Sequence, residues 1–217
     1  MIVHLLEFRV VPGHEAEVAA FLRHFPPATG APHGLVAHCV GRRLGRQQQE
    51  YILITIWQGQ PAFGRGINAD GLPAHLTPKS DLLGGRSGSA FEVLASHLGE
   101  GFAGARILRI YRGAIAARAL EMWQTRAQEQ AGVLAESAGL RAVLAGVRIP
   151  SDDRTGEVPV MAISAWRDWN AVLTATGGHI DRLVQETELG DLEKPSGVVH
   201  YQLLDRESSS AEAAEAR

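Results

Sequence analysis

Two stretches of this chain repeat one pattern, and this internal repeat restricts the fold more than any other feature of the sequence. Residues 34–43 align with residues 139–148 at an offset of 105, and both segments keep two glycines, a leucine, an alanine and a final arginine. Residues 52–57 align with residues 161–166 at an offset of 109, and each of these segments ends in tryptophan. The order of the two anchors is the same in both halves.

A third anchor follows both tryptophans. Ser87-Gly88 matches Ser196-Gly197, again at an offset of 109. Three anchors in one order, separated only by a four-residue slip in a loop, predict two homologous modules of about 100 residues. We place these modules at residues 1–100 and 105–206, and the polar segment 207–217 is predicted to be a disordered tail because it has no large apolar residue to anchor it.

The predicted elements have the same order in each module. An apolar, β-branched run from Ile2 to Val11 ends at Pro12-Gly13, and Val18, Phe21 and Leu22 then have the spacing of an amphipathic helix. The remaining elements of the first module are strands at about 35–43, 50–57 and 89–96 and helices at about 60–66 and 72–84. The second module has strands at about 106–112, 140–149, 158–166 and 198–205 and helices at about 116–137, 168–176 and 178–187. This β-α-β-β-α-β order is the ferredoxin-like arrangement, so the predicted fold class is α+β.

The third strand indicates how the modules meet. Between Ile52 and Trp57 only Thr55 is polar, so both faces of this strand require cover. Helices of the same module can cover one face, and the sheet of the other module can cover the second. We therefore predict one intramolecular α/β barrel, either as a monomeric pseudo-dimer or as a homodimer. The glycine-rich run 84–88 is interpreted as a connector between a helix and a strand.

Composition excludes several partners. The formal net charge is −3, and basic residues do not cluster with aromatic ones, so no nucleic-acid partner is expected. The chain has no apolar stretch of 18 residues and no secretory leader pattern, which predicts a cytoplasmic protein without a membrane partner. Cys39 is the single cysteine, and its apolar surroundings in sequence predict a packed thiol.

The sequence resembles the antibiotic biosynthesis monooxygenase superfamily, whose members are dimeric α/β barrels. The residues that carry the resemblance are the turn from Val11 to Glu15, Gly34-Leu35, and the strand end 54–57 followed by Phe63. It covers most of residues 2–96 and, more faintly, 106–205. The superfamily includes oxygenases with and without cofactors and proteins with no known activity, so the resemblance implies a small-molecule ligand but does not choose the chemistry.

A narrower resemblance gives candidate site residues. The spacing of Trp57, Phe63, Asn68 and His75 is similar to that of the IsdG-type haem-degrading monooxygenases. The resemblance implies haem as the cofactor, with His75 as the iron ligand and Phe63 and Asn68 shaping the pocket. Two positions differ from that pattern, because Gly66 stands where those enzymes have a second tryptophan and Leu6 stands where they have an asparagine.

Three functions remain open from the sequence. The first is a haem-binding, monooxygenase-like protein that uses His75, with haem degradation as a candidate activity. The second is a cofactor-independent oxygenase of an aromatic, enolisable substrate, in which His75 positions the substrate. The third is a non-catalytic ligand-binding barrel. Trp57 and Trp166 are predicted to be core residues, His4 and His38 are weaker candidates for a pocket, and the site near His179 in the second module is predicted to be lost.

Overall fold

A computed structural model gives the fold of this chain. It describes residues 1–23, 32–45, 50–99, 101–149, 156–180 and 193–204. The side chains of His75 and of residues 193–196 lie outside that description. The predicted tail at 207–217 and most of the predicted helix at 178–187 also lie outside the described residues.

The elements have the predicted order in each half. The first half consists of β1 (Ile2–Val10), α1 (Glu15–Arg23), β2 (Leu35–Arg43), β3 (Glu50–Trp57), α2 (Gln60–Gly66), a 3₁₀ helix (Ala74–Leu82) and β4 (Leu83–His97). The second half consists of β5 (Ile107–Ala116), a short 3₁₀ helix (Ala117–Ala119), α3 (Leu120–Ala135), β6 (Leu140–Ile149), β7 (Glu157–Trp166), α4 (Trp169–Ala175) and β8 (Glu193–Leu203). The limits of β2, β3 and β6 agree with those predicted from the sequence.

The strands close into one barrel. Their order is β1-β3-β2-β8-β5-β7-β6-β4, and all described pairs are antiparallel. The four strands of each half are therefore contiguous, and two seams join the halves, β4 with β6 and β2 with β8. The predicted α+β fold, with two ferredoxin-like sheets in one intramolecular barrel, is confirmed. The module limits 1–100 and 105–206, and the duplication itself, stay predictions.

The two faces of each strand have different surroundings. In β1, Val3 and Leu5 belong to the cluster inside the barrel, whereas Leu6 and Phe8 pack against α1 and the 3₁₀ helix on the outside. Every residue from 51 to 57 is buried. The requirement for cover on both faces of β3 is thus met by the barrel core and by the helix layer.

The two halves share a register and a close contact. Ile2 pairs with Trp57 in the first half, and Ile107 pairs with Trp166 in the second. The repeated glycine before β2 and β6 has a φ of +88° in both halves, which disfavours any other residue. A β-carbon at either position would lie 2.5 Å or 2.6 Å from an alanine β-carbon of the following helix, so the helix approaches the sheet closely only because the residue is glycine.

The interpretation of residues 84–88 as a connector is wrong. These residues belong to β4, where Gly84 pairs with Arg9 and Gly88 pairs with Leu6. Glycine is a common turn signal, but here the antiparallel ladder with β1 continues through the run, with an irregularity at Gly85, whose φ is +56°. β4 consequently begins at Leu83 and not near residue 89.

Within the described residues, no helix combines the length and the apolar character needed to cross a lipid bilayer.

Candidate functional site

His4 is a polar residue in the middle of an apolar strand. It lies on β1 opposite Thr55 of β3 and Ala90 of β4, and only 3% of its surface is exposed. Side chains alternate along a strand, so His4 points to the same side as Leu6, toward the helix layer of the first half. The imidazole is therefore enclosed between the sheet and the helices.

The surroundings of His4 are apolar. Its ring lies 5.7 Å from the ring of Phe63 on α2, with the two planes tilted by 52°. A β-carbon at position 88 would lie 3.3 Å from His4 Nε2, so glycine at this position of β4 leaves room for the imidazole. The Nδ1 atom is buried and has no hydrogen-bond partner within the described part of the chain.

Burial determines the protonation state of His4. Removal from water disfavours the charged imidazolium and lowers the pKa of His4 from 6.5 to about 4. The ring is consequently neutral near pH 7, and one of its nitrogens carries a free lone pair.

The stability of the protein is expected to fall in acid because of this one group. The unfolded chain binds a proton at His4 below about pH 6.5 and the folded chain only below about pH 4, so protonation favours unfolding between these values. One pKa unit corresponds to about 1.4 kcal/mol, so about 3 kcal/mol should be lost as the pH falls through this window. Urea unfolding at a series of pH values measures this loss, and His4→Leu should lack it. Equal pH dependence in both proteins would contradict the assignment.

Asn68 organises the loop between α2 and the 3₁₀ helix. Its Oδ1 accepts hydrogen bonds from the backbone N–H groups of Asp70 (3.0 Å) and Leu72 (2.8 Å). Its Nδ2 donates to Thr77 Oγ1 at 3.4 Å. These contacts hold the loop that contains Gly71, whose carbonyl lies beside Gly88 and His4. A direct ligand contact by Asn68 stays a prediction.

Two leucines close to His75 in sequence belong to the core of the first half. The backbone of His75 lies in the 3₁₀ helix Ala74–Leu82, and its side chain lies outside the described residues. On either side of it in sequence, Leu72 and Leu76 are fully buried against the cluster that contains Leu6. Leu72 and Leu76 are thus core residues and not part of an open pocket, and iron ligation by His75 stays a prediction.

The packing of Trp57 explains why Gly66 stands where the IsdG-type pattern has a second tryptophan. A β-carbon at position 66 would lie 2.0 Å from the Trp57 ring, so Gly66 is required by the placement of that indole. Trp57 is 1% exposed, and its Nε1 donates to Thr55 Oγ1 at 2.9 Å. Trp166 repeats this arrangement with Ser164 Oγ at 2.8 Å. Both tryptophans are core residues, as the sequence predicted.

The matching position in the second half holds a cation. The register that pairs His4 with Thr55 pairs Arg109 with Ser164, and Arg109 is 4% exposed. Its Nε donates to His200 Nε2 at 3.3 Å, and its NH2 group donates to the carbonyl of Ile180 at 2.8 Å. The ring of Trp169 lies 5.3 Å from that of His200. The two halves thus bury different polar groups in equivalent places.

The sequence predicted His4 only as a weaker candidate and did not predict Arg109. The sequence does contain a signal for both residues. When the offset of 105 residues is extended back to the first strand, His4 aligns with Arg109, and each is a polar residue within an apolar run. His38 is half-buried on β2, and His179 is exposed. Among the described residues, no three histidine, cysteine or acidic side chains come together to hold a metal ion.

Comparison with solved structures shows the fold. A candidate monooxygenase from Lactobacillus acidophilus aligns with a TM-score of 0.68 and 11% identity, covering 94% of this chain and 96% of the other. An anthrone oxidase-like protein aligns with a TM-score of 0.56 and 12% identity, covering 94% and 91%. The haem-degrading enzyme LmHde from Listeria monocytogenes aligns with a TM-score of 0.51 and 10% identity, covering 93% and 99%.

Sequence comparison adds no assignment, because no family model and no curated protein matches the chain. The structural likenesses show that the chain has the fold of the monooxygenase-like α/β-barrel proteins.

Proposed function

We propose that this chain, which has the fold of the monooxygenase-like α/β-barrel proteins, is a cofactor-independent oxygenase of an aromatic, enolisable small molecule. The observation that carries this proposal is the buried, neutral imidazole of His4 beside the ring of Phe63, with an Nδ1 atom that has no hydrogen-bond partner among the described residues. Buried polar atoms almost always have a hydrogen-bond partner, and a catalytic role is one reason for an exception.

The proposed chemistry needs only a base, a dry site and dioxygen. His4 accepts a proton from an acidic C–H of the substrate and leaves a carbanion that the aromatic ketone delocalises. Dioxygen takes electrons from the carbanion and forms a C–O bond, and the proton on His4 passes to the new peroxide oxygen. Loss of water from this hydroperoxide leaves a carbonyl group. One CH₂ and one O₂ thus give one C=O and one H₂O without an external reductant.

The surroundings of His4 suit the binding of a planar substrate and the protection of its carbanion. The Phe63 ring offers an aromatic surface on which a planar substrate can stack. The low polarity that lowers the pKa of His4 also excludes water from a reactive carbanion. Entry of a substrate requires the layer formed by α2 and the 3₁₀ helix to move outward, because His4 is closed to solvent. The likeness to an anthrone oxidase-like protein supports the choice of an aromatic ketone as the assay substrate.

The test is the variant His4→Leu, assayed with anthrone under air. Loss of a general base is expected to slow formation of the quinone by about 10²–10⁴-fold. The same variant should be as stable as the wild type at pH 7, or more stable by about 1 kcal/mol, because leucine removes a buried polar atom without a partner. Quinone absorbance and oxygen consumption measure the rate, and urea unfolding measures the stability.

His179→Leu is the matched control, since it makes the same change at an exposed histidine. It should leave the rate unchanged. A wild-type protein that consumes no oxygen with anthrone or a hydroxylated anthrone, or an active His4→Leu variant, would contradict the proposal.

The alternative function is haem binding through His75. It is supported by the spacing of His75 from Trp57, and by the likeness of the fold to a haem-degrading enzyme. Haem held there would supply an iron that activates dioxygen. Among the described residues, Leu72 and Leu76 on either side of His75 in sequence are buried in the core and would not line a haem pocket without rearrangement.

Titration with haem separates the two functions. Under our proposal, the wild-type protein gives no Soret shift that depends on His75. A shift that His75→Ala abolishes and His179→Ala retains would replace the cofactor-independent mechanism with the haem-dependent one.

A further inference from the structure

A second candidate site lies at one mouth of the barrel, away from His4. A half-open cavity of about 1140 Å³ lies between β2, residues 98–99 and 101–106, the start of β6 and the end of β7. Residues from both halves line it, so an isolated module would not contain it. The mouth of a β-barrel is a frequent position for small-molecule sites, and the volume suits a ligand of several rings or a medium-length acyl chain.

The cavity lies beside the seam between β2 and β8, which is the shorter of the two seams in the described part of the chain. Among the described residues, β2 pairs with β8 only at Gly41, Arg42 and Arg43. Val40 O also accepts from Leu204 N at 2.9 Å, and the preceding residues 36–39 of β2 line the cavity, with Val36 47% exposed. At the opposite seam, β4 and β6 are paired over the longer stretch from Ala90 to His97.

The floor of the cavity is apolar. Cys39 and Ala105 belong to the cluster that fills the barrel, and Ala37, Leu98 and Phe102 pack against that cluster while also lining the cavity. Burial raises the pKa of the Cys39 thiol, so it is a neutral, apolar part of this surface. The floor can remove the hydrocarbon part of a ligand from water.

The described residues at the rim of the cavity carry an excess of positive charge. They include four arginines and one acidic residue, namely Arg23, Arg106, Arg141, Arg167 and Asp168. The Asp168 carboxylate is already engaged, because it accepts from Ala171 N at 2.9 Å at the start of α4 and from Arg167 Nε at 2.8 Å. An apolar floor beneath a cationic rim matches a ligand with an apolar body and one anionic group.

We propose that this cavity binds small organic anions, specifically carboxylates or sulfonates on an aromatic or acyl body. The anionic group contacts the arginines at the rim, with which it can form charge-assisted and bidentate hydrogen bonds. The apolar body lies on the floor formed by Ala37, Leu98 and Phe102. This site is independent of the proposed chemistry at His4.

The test uses a matched pair of fluorescent probes on the full chain. Anilinonaphthalene sulfonate is an anion, and phenylnaphthylamine has the same apolar body without the charge. The double variant Arg106→Gln with Arg167→Gln is expected to weaken binding of the sulfonate by about fivefold or more and to leave the uncharged probe unaffected. Both arginines are exposed, and an exposed ion pair such as that of Arg167 with Asp168 adds little stability, so the thermal unfolding midpoint should change little.

Arg118→Gln is the control, because Arg118 is an exposed arginine far from the cavity lining. It should leave binding of both probes unchanged, and decanoate should displace the sulfonate from the wild-type protein. Absence of saturable sulfonate binding, or an equal effect of the control and the double variant, would overturn the proposal.

Discussion

Replacing Trp57 or Trp166 with alanine is expected to lower the free energy of unfolding by about 3–5 kcal/mol, the usual range for a buried aromatic side chain. Both indoles are almost completely enclosed, and each N–H donates to a buried hydroxyl on its own strand. The variants would leave a cavity between the sheet and the helix, and the hydroxyl of Thr55 or Ser164 would lose its partner. Urea unfolding followed by circular dichroism measures the change.

Trp169→Ala is the natural comparison, since this tryptophan is only partly buried and packs beside His200. Its replacement should reduce stability by clearly less. If Trp57→Ala kept full stability while the reaction with anthrone was lost, Trp57 would be a site residue and our assignment to the core would be wrong.

Expression of residues 1–97 alone is expected to give aggregated or self-associated protein. In the whole chain, β4 pairs with β6 along one seam and β2 pairs with β8 along the other, and both pairings are lost in the fragment. The fragment would also expose the inward face of its sheet, which includes Val3, Leu5, Ile52, Ile54 and Ile56. Such an apolar face is not stable in water, so two fragments should pair to rebuild a barrel or precipitate.

Light scattering coupled to size-exclusion chromatography gives the state of association. The full chain should unfold in one cooperative transition, because its two halves share a single barrel core. A folded, monomeric fragment would show that the two sheets are independent.

The strands could be predicted because their pattern is local. The apolar run from Ile52 to Trp57 and its partner at 161–166 reveal both the strand and the need for cover on two faces. β4 was harder, because a run containing Gly84, Gly85 and Gly88 has the composition of a turn. Only pairing with β1 makes these residues extended, and that pairing joins residues far apart in the chain.

The site was less predictable, because it depends on how the helix layer meets the sheet. The spacing of Phe63 and Asn68 suggested a shared pocket, yet the side chain of Asn68 bonds within its own loop and Phe63 contacts His4. Burial and the absence of a partner distinguish His4, and neither property can be read from one strand. The arginine-lined cavity at the mouth of the barrel could not be predicted either, because Arg106 and Arg167 are far apart in sequence.

His4 and Arg109 occupy matching register positions in the two halves of the barrel. In a symmetric homodimer, one gene specifies both sites, so every mutation appears twice and neither site can change alone. When one chain contains both halves, a mutation changes only one of the two sites. Selection can then retain a neutral base in one half while the other half acquires a cation, and the two sites are inherited as independent characters within one barrel.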